Sequence, residues 1–221
     1  MYCFKHCIHG HVLYIDLVLL AGCVLGDQCA KAVGVALGVL YQVLRSFHFR
    51  DKTVFLRLYK SYVRPHLEFS VPTWNPWLSK DVKKLEKVQE KFVKNVRGLR
   101  EISYTAKCKE LGLLTLENRR LYLDMVETFK LIHNHTKIDR AEMFELYGDI
   151  DRRHTRAADF PLNIVSKRSN LEIRRHFFSN RVTEYWNGLP NDLKTDRNLS
   201  KFKFNLKQHL MATHLEGNED E

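Results

Sequence analysis

The chain has 221 residues and a formal net charge of +10, with a sequence pI of about 9.4. Hydrophobic residues make up 44% and aromatics 11%, which excludes a disordered polyampholyte and suits one or two domains with a real core. The positive excess favours a polyanionic partner, nucleic acid or an anionic membrane surface, over a neutral or acidic one; a basic but inert surface has the same composition.

In chain order, residues 1–26 differ from the rest. "MYCFKHCIHGH" is rich in Cys and His, and "VLYIDLVLLAGCVLG" is strongly apolar. Cys3, His6, Cys7, His9 and His11 are metal-ligating types, but they crowd together with no second ligand pair across a spacer. No structural zinc site, and no other cofactor, is expected. The apolar run contains Asp16 and falls short of the ~20 residues that a spanning helix needs. Its flank has only Lys5 and histidines as a basic region, so a signal peptide also fits poorly, although "LAGC" resembles a bacterial lipoprotein box. A membrane partner is therefore not the expectation. Five cysteines, four of them in the first 29 residues, make no disulfide framework; reduced thiols in an intracellular compartment, the nucleus included, fit better.

From Asp27 on, helical periodicity takes over. "DQCAKAVGVALGVLYQVLRSF" (27–47) predicts a helix with Val33, Leu37, Leu40 and Leu44 on one face, interrupted by Gly34 and Gly38. "DKTVFLRLYKSYV" (51–63) predicts a second, capped by Asp51, with Val54, Leu58 and Tyr62 inward. Pro65 reads as a kink, with the chain running on through Leu67 and Phe69 towards Trp74, which Pro72 and Pro76 hold at a corner. Ser79 is the expected cap of the clearest helix (79–98), and Gly98 its left-handed terminator. Val82, Leu85, Val88, Phe92, Val96 and Leu99 form its apolar stripe.

A further helix is predicted over Leu116–His133, with Tyr122, Met125, Phe129 and Ile132 inward. Residues 148–170 lack helical periodicity. "GDIDRR" reads as a loop, and a short strand or extended segment is expected near 152–166, around Pro161. "FFSNRVTEYWNGLP" returns to helix, with Phe178, Val182 and Tyr185 in phase, ended by Gly188 and Pro190. A short helix near 200–210 precedes the acidic tail. The expected fold class is mainly α: a helical bundle over 27–147, a basic loop with helices over 148–212, and a solvated tail over 213–221.

Two basic groups are candidates for phosphate contact. On the 79–100 helix, Lys80, Lys83, Lys84, Lys87, Lys91, Lys94, Arg97 and Arg100 meet only Asp81, Glu86 and Glu90. Lys83, Lys87, Lys94 and Arg97 are expected on the solvent side, where each could neutralise a phosphate; a merely solvated face shows the same pattern. Arg152, Arg153 and Arg156, followed by Lys167, Arg168, Arg174 and Arg175, suit a loop that tracks a nucleic-acid backbone, without a base-reading code. The interleaved Phe177, Phe178, Tyr185 and Trp186 have helical spacing, which favours core packing over base stacking. No nucleophile elbow, phosphate-binding Gly-rich loop or Tyr-x-Asp-Asp carboxylate pair occurs, and no small-molecule substrate is expected.

"LYKSYVRPHLEFSVPTWNPWLSKDVKKLEKVQEKFVKNVRGL" resembles the segment after the polymerase palm in reverse transcriptases of non-LTR retrotransposons, the jockey-like and chicken-repeat-like LINE elements. The resemblance continues through "ISYTAKCKELGLLTLENRRLYLDMVETFKLIHN" and "NIVSKRSNLEIRRHFFSNRVTEYWNGLPNDL" and reaches upstream to "DQCAKAVGVALGVLYQVLRSFHFRDKTVFLRLYKS". It covers about residues 27–210 and includes the structural positions Arg64, Pro65, Trp74, Trp186, Gly188 and Pro190. It implies a thumb and post-thumb region whose job is to grip an RNA or DNA template–primer duplex by its backbone. The family's catalytic aspartates lie in the palm, upstream of the matching stretch, so no catalytic residue carries over and the expectation is an inactive fragment. Residues 1–26 match poorly, as a copy truncated or shifted in frame, or joined to unrelated sequence, would. A transposon-derived product with no selected function, and a membrane-anchored protein using 12–26, are the alternative readings.

Overall fold

The computed structural model describes residues 24–99, 101–150 and 160–216. The expectations for Cys3–His11, for most of the apolar run and for Arg152, Arg153 and Arg156 lie outside them. The chain divides into two compact units, residues 1–111 and 112–221. The two units meet after Leu111, whereas the sequence reading divides the chain at 147. The long helix expected at 116–133 is the centre of the second unit, because its buried face packs against the C-terminal helices. Both units are mainly helical, in agreement with the expected class.

In the first unit, α1 spans Val24–Ser46. Its buried line is Cys29, Ala32, Ala36, Leu40 and Val43. The expected Val33, Leu37 and Leu44 stand at its margin, half-buried. Hydropathy favoured the larger side chains, but small residues let a neighbouring helix approach closely. Gly34 and Gly38 are exposed, and a Cβ on either would meet nothing within 4 Å.

α2 (Lys52–Leu58) starts as expected, with Asp51 accepting from Thr53 N at 3.0 Å and Val54 N at 3.3 Å. Its inward face is shifted by one residue. Phe55, Tyr59, Val63, Leu67 and Val71 are buried, while Val54 and Tyr62 are 49% and 58% exposed. A strict spacing of four drifts about 40° per step in an α-helix. Here residues Tyr59–Val63 form a π-turn, in which Arg64 N donates to Tyr59 O. The wider turn winds the chain back and keeps the row on one side. It also makes room for Pro65, whose ring would clash with the Ser61 carbonyl in a regular helix. The helix thus continues as α3 (Arg64–Glu68) without breaking, where Arg64 pairs with Glu68 at 3.2 Å.

The sequence reading carried this run through Phe69, but it stops at Glu68. Phe69 is 53% exposed, and Ser70 takes a left-handed φ of 54° before α4 (Val71–Trp74). Pro72 lies in the first turn of α4, Pro76 is buried, and buried Trp74 donates its indole N–H to Phe69 O. α5 (Ser79–Lys94) and α6 (Tyr104–Glu110) complete the unit. Ser79 is the first helical residue of α5 and not its cap; Leu78 precedes it with no side-chain cap. Gly98 is left-handed (φ 85°) as expected, but in a turn beyond Lys94, where the helix has ended.

In the second unit, α7 (Leu116–Ile132) is capped by Thr115 and packs against α10 (Phe178–Gly188) and α12 (Leu199–Glu216). Met125, Phe129 and Ile132 are buried as expected, whereas Tyr122 is half-buried. Phe129 stacks on Phe202 with centroids 4.1 Å apart. On α10, Phe178, Val182 and Trp186 face inward, while Tyr185 is 58% exposed; the phase follows Trp186. Gly188 closes α10 without a left-handed turn, and Pro190 flanks the start of α11 (Asn191–Thr195). α12 is longer than expected and reaches into the segment read as a free tail.

The remaining elements are short: α8 (Arg140–Met143), a 3-10 turn at Tyr147–Asp149, and α9 (Glu172–Arg175). Near Pro161 the described residues hold no strand, only an antiparallel bridge between Leu146 and Ile164. The Asn187 amide completes it, accepting from Ile164 N at 2.8 Å and donating to Ile164 O at 2.9 Å. Asp124 accepts a bidentate pair from Arg181 at 2.9 and 3.0 Å. Buried Lys194 donates to Asn163 Oδ1 and Asn187 O, and burial lowers its pKa.

Gly34→Ala with Gly38→Ala should stabilise the chain by about 0.5–1 kcal/mol per site, since both positions are helical, exposed and open; chemical denaturation of the double variant measures this. A second outcome concerns His133, whose ring nitrogen lies 2.8 Å from Lys194 O, beside Phe129. Burial, ahead of the neighbouring His135 and Arg197 charges, lowers its pKa. The unfolded chain then binds the proton first as pH falls. Stability should therefore decline as pH drops below about 6.5, and His133→Gln should flatten that decline in urea titrations at a series of pH values.

Candidate nucleic-acid interface

α5 owes its orientation to its buried side. Leu85, Val88, Gln89, Phe92 and Val93 are at most 1% exposed. Phe92 stacks on Tyr59 and Phe55, with centroids at 4.2 and 5.2 Å; such pairs add about 0.5–1.5 kcal/mol each beyond their buried area. A chain of hydrogen bonds runs beside the stack. Tyr59 Oη donates to Gln89 Oε1 at 2.8 Å, Gln89 Nε2 donates to Tyr104 Oη at 3.0 Å, and Tyr104 Oη donates to Glu86 Oε1. Gln89 Nε2 also lies 3.6 Å from Cys108 Sγ. Burial pushes the Tyr59 and Tyr104 phenols up, and the Cys108 thiol up to about 11. These groups stay neutral at physiological pH and serve the network as donors and acceptors.

α1 lies alongside and runs parallel to α5. A Cβ on Gly26 would stand 3.9 Å from Asp81 Oδ2, Tyr41 meets Lys91, and Phe49 meets Arg97. With one face of α5 held against α1, α2 and the π-turn, the opposite face is left to solvent. At 100° per residue, Lys80, Lys83, Lys87, Lys91 and Lys94 fall within an arc of about 80° over some 21 Å of helix. Lys80, Lys83, Lys87, Lys94 and Arg97 are exposed. The expected solvent-side residues are therefore where the sequence placed them.

Two lysines of the candidate set have intramolecular roles. Lys84 pairs with Asp81 at 2.9 Å, and this hydrogen bond raises its pKa. Lys91 is half-buried; it donates to Tyr41 Oη and lies 4.2 Å from the ring centroid. The acidic residues of α5 are also largely turned away. Asp81 is 3% exposed and Glu86 accepts from Tyr104, which leaves Glu90 at the edge of the lysine stripe. The outward field is thus more positive than the composition of the helix implies. Arg100 lies outside the described residues.

The second basic group belongs to the other unit. Lys167, Arg168, Arg174 and Arg175 are exposed, and Arg175 Nε donates to Ser169 O at 3.0 Å. They flank or lie in α9, a single turn, and so lack the long supporting helix that aligns the first group. Asp149 of "GDIDRR" caps its own turn by accepting from Leu146 N and pairs with Arg140 at 3.0 Å. Among the described residues no group of His, Cys, Asp and Glu could hold a metal ion, and no helix is long and apolar enough to cross a membrane.

Three features of the site were not anticipated from sequence. Gln89 reads as a surface residue in a charged helix, yet it is 1% exposed. Asp81 reads as a dipole partner and is buried. The aromatic partners Tyr41 and Phe49 come from a distant stretch. The phases of Asp81 and Gln89, both on the arc of Leu85, Val88, Phe92 and Val93, gave the signal for their burial. A scan of protein-family models, of curated proteins and of solved structures finds no match to this chain.

The Tyr59–Gln89 link of the network is between neutral groups on the buried side of α5, so its loss should act on folding alone. Tyr59→Phe removes the donor to buried Gln89 Oε1 and should cost about 1–3 kcal/mol in a denaturant titration, while affinity for duplex nucleic acid stays unchanged.

Proposed function

We propose that this chain is a thumb-like region of a non-LTR retrotransposon reverse transcriptase, one that binds duplex RNA or DNA by its phosphate backbone. The carrying observation is the exposed lysine stripe of α5, opposite a face fixed by the Phe92 stack and the Gln89 network. Support also comes from the resemblance over residues 27–210. The reading assigns Lys80, Lys83, Lys87, Lys94 and the exposed Arg97 to phosphate contact, and Lys84, in an ion pair with Asp81, and half-buried Lys91 to a supporting role. Duplex DNA carries one charge per ~1.7 Å of axis, so a 21 Å stripe meets enough phosphates to engage every one of these cations. Contact of this kind positions a duplex without reading its sequence.

The test is a salt titration of binding to a blunt duplex. The slope of log K against log salt falls by about one for each phosphate that a substitution leaves unneutralised. Lys83→Gln, Lys87→Gln and Lys94→Gln together should therefore flatten it by about three, with little dependence on duplex sequence. A slope unchanged by the triple variant, or binding no tighter than that of an unrelated basic protein, refutes the reading.

A further inference from the structure

At the C-terminal end of α1 the exposed surface changes character. Tyr41 is 51%, Phe47 41% and Phe49 69% exposed. Scattered exposed rings are ordinary, but these three share one end of the first unit with a group of cations. The Lys91 ammonium lies 4.2 Å from the Tyr41 centroid, and the Arg97 guanidinium 5.3 Å from that of Phe49. Arg97 N donates to Arg50 O at 3.1 Å, and Arg50 Nη1 donates to Asn95 Oδ1 at 2.6 Å. The segment that bears Phe47 and Phe49 is thereby tied to the end of α5.

Arg45, His48 and Lys94 are exposed in the same region of the chain. The nearby acids are few: Asp51 is engaged in capping α2, Glu90 lies one turn back on α5, and Glu101 follows the Gly98 turn. Rings with open area, backed by cations and with little opposing charge, suit a nucleotide: the base stacks on a ring while its phosphate meets Lys or Arg. An apolar peptide would leave these cations without a counter-charge.

We propose that Tyr41, Phe47 and Phe49 form a stacking platform that takes one or two unpaired bases at the end of the duplex held by α5. The inference rests on the proposed backbone grip and adds a preference that the grip alone does not create. Because every base has a π-face, the preference is for unpaired structure and not for sequence.

The full-length chain is titrated with a blunt duplex and with the same duplex bearing a short single-stranded overhang, whose first base is 2-aminopurine. The overhang substrate should bind roughly tenfold tighter per stacked base, with a change in 2-aminopurine emission. Phe49→Ala and Phe49→Leu should each reduce the overhang preference and leave blunt-duplex affinity and its salt slope unchanged; Leu keeps the apolar volume and removes the ring. Equal affinity for the two substrates, or a preference that survives Phe49→Leu combined with Tyr41→Leu, overturns the platform while leaving the grip standing. Absence of salt-dependent binding to either substrate overturns both.

Discussion

The packing of Phe92 between Tyr59 and Phe55 is the interaction on which the first unit depends. It fixes the rotation of α5, and rotation decides which residues of a uniformly charged helix reach solvent. Gln89 adds direction to that packing. Its amide can satisfy Tyr59 on one side and Tyr104 on the other in only one orientation, so the π-turn, α5 and α6 share a single register. Removing a ring from the stack would open a cavity, at a cost of about 3–5 kcal/mol, a large share of the stability of a small domain.

The π-turn at Tyr59–Val63 is the backbone counterpart of this constraint. It keeps Phe55, Tyr59, Val63 and Leu67 in one row and admits Pro65 without a break. A regular helix would have rotated Leu67 off the core, and a proline kink would have carried the chain away from α1. The stretch between the two long helices thus serves to return the chain so that α1 and α5 lie parallel.

Much of this was legible in the sequence, for identifiable reasons. The strong amphipathic pattern of residues 79–99 located both the buried face and the lysine stripe of α5, and Asp51 announced the start of α2. The phase of residues 51–63 was not legible, because Val54, Leu58 and Tyr62 and the buried Phe55, Tyr59 and Val63 are two adjacent rows with the same spacing of four, and hydropathy does not choose between them. In α1 the larger Val33, Leu37 and Leu44 outweigh Ala32 and Ala36 in hydropathy, although the value of the alanines lies in close approach. On α10, Trp186 sets the phase and leaves Tyr185 outside. The division after Leu111 has no signature in the sequence, because nothing in composition changes there. Roles that arise between distant segments, such as Tyr41 with Lys91 or Asn187 across the Leu146–Ile164 bridge, have no local pattern.

The two basic groups differ in how they are supported. The stripe on α5 is aligned by a sixteen-residue helix with a fixed face, whereas Lys167, Arg168, Arg174 and Arg175 sit on a short turn. Charge density is similar in sequence; alignment is not. The most direct measurement of the central claim is lysine footprinting by limited acetylation, read by mass spectrometry, with and without a blunt duplex. The account predicts protection of Lys80, Lys83, Lys87 and Lys94, with Lys167 unaffected or weakly protected. Protection confined to Lys167 and other lysines of the second unit, or none on α5, would contradict it.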